Sequence, residues 1–192
     1  MIEFVAGVDE VGRGALFGPV VAAAVILLPA EESVLKELGV KDSKQLSQHQ
    51  RESLDAHIRK LAIASAVGMA STREIDRINI LQAALLAMKR AVRRLDPAPS
   101  LCLIDGNQVV PNLGIEQRTV IKGDQTELAI AAASIVAKVW RDRLIIRLAE
   151  RYPGYDLAAN KGYGSQRHRA ALGTLGPSRQ HRQTFKGCQP AP

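Results

Sequence analysis

Phe4-Val5-Ala6-Gly7-Val8-Asp9-Glu10-Val11-Gly12-Arg13-Gly14-Ala15-Leu16-Phe17-Gly18-Pro19 leads directly into Val20-Val21-Ala22-Ala23-Ala24-Val25-Ile26-Leu27-Leu28. The two apolar runs, residues 2–8 and 20–28, are short and rich in Val and Ala, as buried strands are. The glycine-rich segment 12–18 is short enough to return the chain beside itself, so the strands should pair antiparallel. Two acids at the end of an apolar strand bring a desolvation cost with no local benefit, which marks Asp9 and Glu10 as candidates for chemistry. Successive strand residues point to opposite faces, so both acids reach one centre only if the chain leaves strand geometry at once, and Gly12 and Gly14 allow that. The glycine loop superficially resembles a dinucleotide fingerprint. The spacing fails, because Phe17 stands where a third glycine is required and the segment leads into a strand rather than a helix.

Working outward, residues 46–59 follow Ser47 with helical spacing at Leu54, Ile58 and Leu61, and residues 62–70 read as a third strand. Residues 71–95 form a long helical stretch in two pieces, stopped by Asp96-Pro97-Ala98-Pro99. Residues 101–104 and 117–121 are the fourth and fifth strands, ending at Asp105-Gly106 and Lys122-Gly123-Asp124. Residues 125–151 contain no Pro or Gly and predict a long helix, whose alanines permit close approach by another element. A short helix is expected near residues 167–172. The order predicts an α/β fold, a mixed sheet flanked by helices. Asp9-Glu10, Asp105 and Asp124 each follow a strand-like run beside a glycine, and if strands one and four are parallel neighbours, Asp9 and Asp105 meet at one rim. Clustered carboxylates raise one another's pKa unless a cation neutralises them, and hard oxygen-rich sites favour Mg²⁺ or Mn²⁺.

The net charge of +7 is uneven: residues 138–192 hold 11 Lys and Arg against 3 Asp and Glu, so an anionic partner would be drawn to the C-terminal quarter. Cys102 and Cys188 fit no metal-ligand spacing or disulfide framework, and a reducing cytoplasmic setting is expected. Residues 1–8 lack the pattern of a secretory signal, and the longest apolar run, residues 19–29, is about half of the roughly 20 residues a membrane span needs. The expectation is a soluble protein with no membrane partner.

Each motif taken alone has a plainer reading. Asp124 with Glu127 has the spacing of a helix capping box, Asp105-Gly106 that of an ordinary turn, and Lys41-Asp42-Ser43-Lys44 that of a solvated loop. Gly12-Arg13-Gly14 is either a tight turn or a place where backbone approaches a sugar or phosphate. Tyr163, between Gly162 and Gly164 and near Arg167, His168 and Arg169, either packs on its own domain or stacks on a nucleotide. His57 and His181 read as packing or structural residues without a catalytic role.

Together, Gly7-Val8-Asp9-Glu10-Val11-Gly12-Arg13-Gly14, Asp42-Ser43-Lys44, Ile104-Asp105-Gly106, Lys122-Gly123-Asp124, Ala132 to Val139, Lys161-Gly162-Tyr163-Gly164 and Gly176-Pro177-Ser178 with His181-Arg182 closely resemble ribonuclease HII. The likeness runs from about residue 6 to 185. It implies a ribonuclease H-like mixed five-stranded sheet flanked by helices, with a catalytic domain over residues 1–151 and a basic helical and loop extension over 152–192 that packs on it and contacts substrate. It implies a metal-dependent endonuclease that cuts the RNA strand of RNA/DNA hybrids, and cuts 5′ to ribonucleotides in duplex DNA, leaving 5′-phosphate and 3′-hydroxyl ends in ribonucleotide excision and primer removal. By the resemblance, Asp9, Glu10, Asp105 and Asp124 hold two Mn²⁺ or Mg²⁺ ions and carry catalysis. Gly12, Arg13 and Gly14 sense the ribose 2′-hydroxyl, Lys44 holds phosphate, and Tyr163 stacks on the following deoxynucleotide. A monomer that contacts a replication clamp through its tail is expected. Ala15 stands where the family commonly has Pro and Phe17 where it commonly has a small residue, which bears on loop stiffness. The rivals are a non-catalytic RNA/DNA-binding module and another nuclease or resolvase of this fold.

Overall fold

The computed structural model describes residues 3–189; Ile2 of the expected first strand and residues 190–192 of the expected tail lie outside the described residues. The five strands are β1 (Val5–Val11), β2 (Val20–Ile26), β3 (Ala64–Ala70), β4 (Leu101–Asp105) and β5 (Glu116–Val120). They lie in the order β3-β2-β1-β4-β5, with β1, β2 and β3 antiparallel and β1, β4 and β5 parallel. This mixed sheet is the one the sequence predicts. The helices are α1 (Pro29–Glu37), α2 (Gln48–Leu61), α3 (Thr72–Val92), α4 (Gly123–Thr126), α5 (Leu128–Arg151), α6 (Leu157–Asn160) and α7 (Gln166–Leu175).

Strand alternation divides the core into two layers. Val20, Ala22, Ala24 and Ile26 of β2 join Ala6, Val8 and Ile104 on the face covered by α3. Val21, Ala23 and Val25 face the other way, onto α2 and α5. Each fully buried Val or Ile contributes about 1.5–3 kcal/mol by leaving water. The small residues set how closely the layers approach: a Cβ on Gly7 would lie 2.1 Å from the Ala129 carbonyl carbon of α5. A third cluster joins Phe17 and Ile145 to Tyr155, Leu157, Ala171, Leu172 and Cys188, and fastens the C-terminal segment to the glycine loop.

Several expectations need correction. Helix α1, opened by Pro29, escaped the sequence reading because its apolar face is narrow; among its residues only Leu35 is buried. The long helix starts at Leu128 rather than 125. Asp124 is not its cap, since it sits inside α4 and the N-cap of α5 is Glu127, which makes no side-chain cap bond. Ser47 does cap α2, in a reciprocal capping box with Gln50. Helix α3 is in two pieces as expected, broken where Asn79 adopts φ 66° and its side-chain oxygen accepts from the Gln82 amide at 3.1 Å. Strand β1 runs past its expected end: Asp9, Glu10 and Val11 remain paired to Ala23, Ala22 and Val21. The chain therefore does not leave strand geometry at Asp9.

Candidate active site

Parallel pairing of β1 with β4 ends at Val8 opposite Ile104, so the next residues, Asp9 and Asp105, stand side by side at the strands' C-terminal edge. Asp9 takes the same face as Gly7, toward α5 and Ser134, while Glu10 leaves from the opposite face of the same strand. Burial raises the Asp9 carboxyl well above its usual value, and the charges of Glu10 and Asp105 raise it further, against the Ser134 hydroxyl and the Glu10 amide. Burial also raises Glu10, partly offset by Arg13, whose Nη1 is 3.1 Å from Oε1. Asp105 is raised by burial and by Asp124, although its Oδ1 accepts from the Gly123 amide at 2.8 Å.

Asp124 completes the row, and Lys44 Nζ lies 3.3 Å from its Oδ2. Burial opposes the charge on Lys44, but the hydrogen bond to Asp124 and the charges of Asp124, Asp42 and Asp9 outweigh that and raise its pKa. The Lys44 side chain is 81% exposed, so it can swing away without stranding a buried charge. The loop that carries it is not merely solvated. Asp42 and Ser43 are buried, Asp42 Oδ1 accepts from the Lys44 amide, and Ser43 Oγ meets Ser134 Oγ at 2.8 Å. A cleft of ≈ 760 Å³ opens between α1, this loop and the α4–α5 junction. Of the four acids only Asp124 borders it, so the cleft flanks the row rather than containing it.

Among the described residues, no three His, Cys, Asp or Glu side chains stand close enough together to hold a metal ion as they are. The reason is visible in the pairing: Asp9 and Glu10 leave β1 on opposite faces, and Arg13 and Lys44 each hold one acid. The donor set nevertheless suits a hard divalent cation, because its members are carboxylate oxygens, and three of the acids, Asp9, Glu10 and Asp105, are raised by burial and by neighbouring acids that a cation would offset.

The glycine turn follows immediately. Gly12 has φ +88°, and a Cβ there would fall 2.2 Å from Nε of Arg141, so both backbone and packing require glycine. A Cβ on Gly14 would meet nothing within 4 Å; the protein's own packing does not explain that glycine. The Ala15 amide closes the turn on the Gly12 carbonyl at 3.3 Å, while the exposed Arg13 and Gly14 make no backbone-amide hydrogen bond among the described residues. Ala15 and Phe17 are fully buried, and the Phe17 ring meets Tyr152 and His181 edge-on at 5.4 and 5.0 Å. The loop is held by packing where the family pattern would place Pro.

Tyr163 is half-buried beside this turn, its ring 5.6 Å from Lys138 Nζ and 5.4 Å from the Arg141 guanidinium carbon. The preceding residue binds the loops together, for the Gly162 carbonyl accepts from the Leu16 and Phe17 amides. A buried histidine pair supports Tyr163 from behind. The Ser178 amide can only donate, so His181 Nδ1 accepts; its Nε2 then donates to His168 Nε2 at 3.0 Å, and His168 Nδ1 donates to the Tyr163 carbonyl. Burial lowers both imidazoles, His181 to about 4, helped by His168. His181 is thus structural, as its sequence context suggested.

Sequence reasoning missed Arg141 and Ser134, and it counted Arg141 and Arg182 among surface charges although both are 0% exposed. A signal for Arg141 existed: it falls four and seven residues after Ala137 and Ser134, on the buried stripe of α5. Arg167, Arg169, Arg179 and Lys186 do lie exposed, as a phosphate-facing tail would need.

Residues 6–188 match the family model for ribonuclease HII. The chain is 64% identical to ribonuclease HII of Acaryochloris marina, over 97% of this chain and 94% of that protein. Its fold is similar to the crystal structure of ribonuclease H2 from Pyrococcus horikoshii, with TM-score 0.81, 28% identity and coverage of 97% and 95% of the two chains. It is similar too to the ribonuclease HII of Archaeoglobus fulgidus solved in complex with PCNA, with TM-score 0.80, 31% identity and 95% of each chain covered.

Proposed function

The chain belongs to the ribonuclease HII family, nucleases that act on RNA/DNA hybrids, and from that premise we propose that it also cuts duplex DNA on the 5′ side of embedded ribonucleotides, leaving 5′-phosphate and 3′-hydroxyl ends. The observation that carries the reading is the juxtaposition of a row of buried carboxylates at the end of β1 and β4 with a turn whose exposed residues Arg13 and Gly14 have amides unpaired among the described residues. Two features suit a ribonucleotide: hard oxygen ligands for the scissile phosphate's cations, and free N–H donors for a 2′-hydroxyl, the group that separates RNA from DNA.

Divalent-metal dependence belongs to the family, and Asp9, Glu10, Asp105 and Asp124 would hold the ions. When bound, two Mn²⁺ or Mg²⁺ ions supply an activated water and stabilise the leaving oxygen of phosphodiester hydrolysis. Arg13 and Lys44 neutralise part of the acid row in the free protein, and both can turn outward to phosphates. Gly12 gives the turn its shape, and Gly14 leaves room for the ribose to approach backbone. Tyr163, presented by the Gly162 loop, stacks on the sugar of the next deoxynucleotide, so an RNA-to-DNA junction is selected. In this reading residues 1–151 carry catalysis, and residues 152–192 form the extension that supports Tyr163. The protein works as a cytoplasmic monomer in ribonucleotide excision and primer removal. No described helix is long and apolar enough to cross a membrane. Given the PCNA complex of the Archaeoglobus protein, we also propose that the tail contacts a replication clamp.

The test is cleavage of a DNA duplex carrying one ribonucleotide, by wild type and Asp9→Asn, with Mg²⁺ or Mn²⁺ and with chelator. Metal-dependent cutting immediately 5′ of the ribonucleotide, abolished in Asp9→Asn, is expected. Equal cutting of an all-DNA duplex, or full activity in Asp9→Asn, would sink the reading.

A further inference from the structure

Arg141 and Arg182 are two fully buried guanidinium groups, and among the described residues neither makes an ion pair with a carboxylate. Buried cations without anions are costly unless their donors are satisfied. Here backbone carbonyls satisfy them, and all but one of those carbonyls belong to residues 12–19. Arg182 donates from Nη2 to the Gly12 carbonyl at 2.7 Å, from Nη1 to Arg13 at 2.7 Å and from Nε to Gly18 at 3.0 Å. Arg141 donates from Nη2 to Phe17 at 3.0 Å, from Nε to Pro19 at 3.1 Å and from Nη1 to Lys161 at 2.8 Å. The first ties both ends of the glycine loop together. The second joins that loop to the residue before Gly162 and Tyr163.

A trans peptide carries its carbonyl and its N–H on opposite sides. When Arg182 draws in the carbonyls of Gly12 and Arg13, the amides on those two peptide units, those of Arg13 and Gly14, must face away from the guanidinium. These amides belong to two exposed residues and find no partner among the described residues. Gly12 is glycine because Arg141 lies where its Cβ would be, and Gly14 is open to solvent. The arginines thus fix the inner side of the turn and leave its outer side free.

We infer that Arg141 and Arg182 are positioning residues for ribonucleotide recognition: they orient the Arg13 and Gly14 amides toward the substrate sugar and couple that turn to the Tyr163 loop. The inference rests on the reading that this turn senses the 2′-hydroxyl. It adds the reason the turn can do so: a planar guanidinium holds adjacent carbonyls in a fixed fork that a lysine cannot reproduce. Both cations are fully buried and their hydrogen bonds are spent on backbone carbonyls, so their role is orientation rather than attraction of phosphate.

The experiment uses Arg182→Lys and Arg141→Lys in the full chain, which keep the charge and lose the fork. We measure kcat and KM on a duplex with one ribonucleotide, and Kd in chelator for that duplex and its all-DNA counterpart. The preference for the ribonucleotide duplex should fall by about tenfold or more, since small misplacements of recognition groups have large effects. The all-DNA Kd should stay within about twofold, because phosphate attraction depends on charge. A merely structural role would lower the melting temperature and leave the preference unchanged. A folded lysine variant that retains the wild-type preference overturns the inference.

Amide spectra of labelled wild-type protein separate this from failure of the underlying reading. If the Arg13 and Gly14 amides respond alike to both duplexes, the turn does not sense the 2′-hydroxyl. If they respond differently in wild type, and equally so in the lysine variants, the turn does sense it and the arginines do not set it. Should neither variant fold, the wild-type Arg182 Nη–H signals, from the groups that donate to the Gly12 and Arg13 carbonyls, decide. Bonding at a peptide N–H polarises the carbonyl of the same unit, so these signals must move with the ribonucleotide duplex and not with DNA. Signals that stay still overturn the inference.

Discussion

Two groups of buried charge lie side by side in this molecule, one negative and one positive, and they are finished differently. Asp9, Glu10 and Asp105 are raised by burial and by neighbouring acids, with Arg13 and Lys44 as partial and largely exposed counterweights. Arg141 and Arg182 are more deeply buried, yet each uses three directed bonds to carbonyls. The acid row is incomplete without something from outside, whereas the arginine pair is complete within the fold. Incomplete charge marks where a ligand acts, and complete charge marks what holds the acting parts still. The comparison can be broken at either side.

The largest effect should come from the incomplete side. Asp9→Asn, or chelation of the wild type, should lower cleavage of a ribonucleotide-bearing duplex by more than about a hundredfold, since even indirect support of a metal site is worth 10–100-fold. Melting temperature in chelator should not fall with Asp9→Asn. A variant that cuts at near wild-type rate removes the acid row from the mechanism.

On the complete side the order reverses. Arg182→Met removes the guanidinium from three carbonyls, of which that of Gly12 keeps the Ala15 amide, and should reduce the unfolding free energy by about 3 kcal/mol, with or without metal. Denaturant unfolding measures this, and a loss under about 1 kcal/mol would show that water replaces the guanidinium.

Gly12 and Gly14 sharpen the contrast within one turn. Gly12→Ala forces a Cβ onto Arg141 and should destabilise the fold. Gly14→Ala should leave stability within about 0.5 kcal/mol, as uncrowded surface changes do. Its cost should be in function, about tenfold in kcat/KM on the ribonucleotide duplex and little in affinity for all-DNA duplex. Equal loss on both duplexes would take Gly14 out of ribonucleotide recognition.

The smallest effect is a difference in pH response. Asp9, Glu10 and Asp105 have raised folded pKa values, so in metal-free protein their contribution to stability is present below ordinary carboxylate values and lost as pH rises through the raised ones. His181 is lowered from 6.5 to about 4, so the neutral pair's contribution is present above 6.5 and lost as pH falls toward 4. Hydrogen exchange in chelator should therefore show the end of β1 protected in acid and the His168–His181 segment protected near neutrality. Parallel responses would mean that the two regions do not open independently.

Much of this was legible in the sequence. The Val- and Ala-rich runs, the short glycine loop and the Pro-free helix pointed to a mixed sheet, and the meeting of Asp9 with Asp105 was conditional on β1 lying beside β4, which the structure shows. The ordered motifs carried the family. What they could not carry was whether an acidic or basic residue is finished by its surroundings. Arg182 read as a surface cation because its partners are carbonyls up to 170 residues away, and a backbone carbonyl has no signature in sequence. Taken alone, Asp124 read first as a helix cap, until the structure put it inside α4, facing Lys44.

By itself the sequence determined which segments form strands, though not their exact ends, because hydrophobic periodicity is local, and which acids fall near their C-terminal edge. It left Gly12 and Gly14 alike. Only the tertiary structure separated them, placing the Arg141 guanidinium against Gly12 and open space beside Gly14. The physical reason is that a side chain's chemistry travels with the chain, whereas its desolvation and its partners are set by whatever the fold brings next to it.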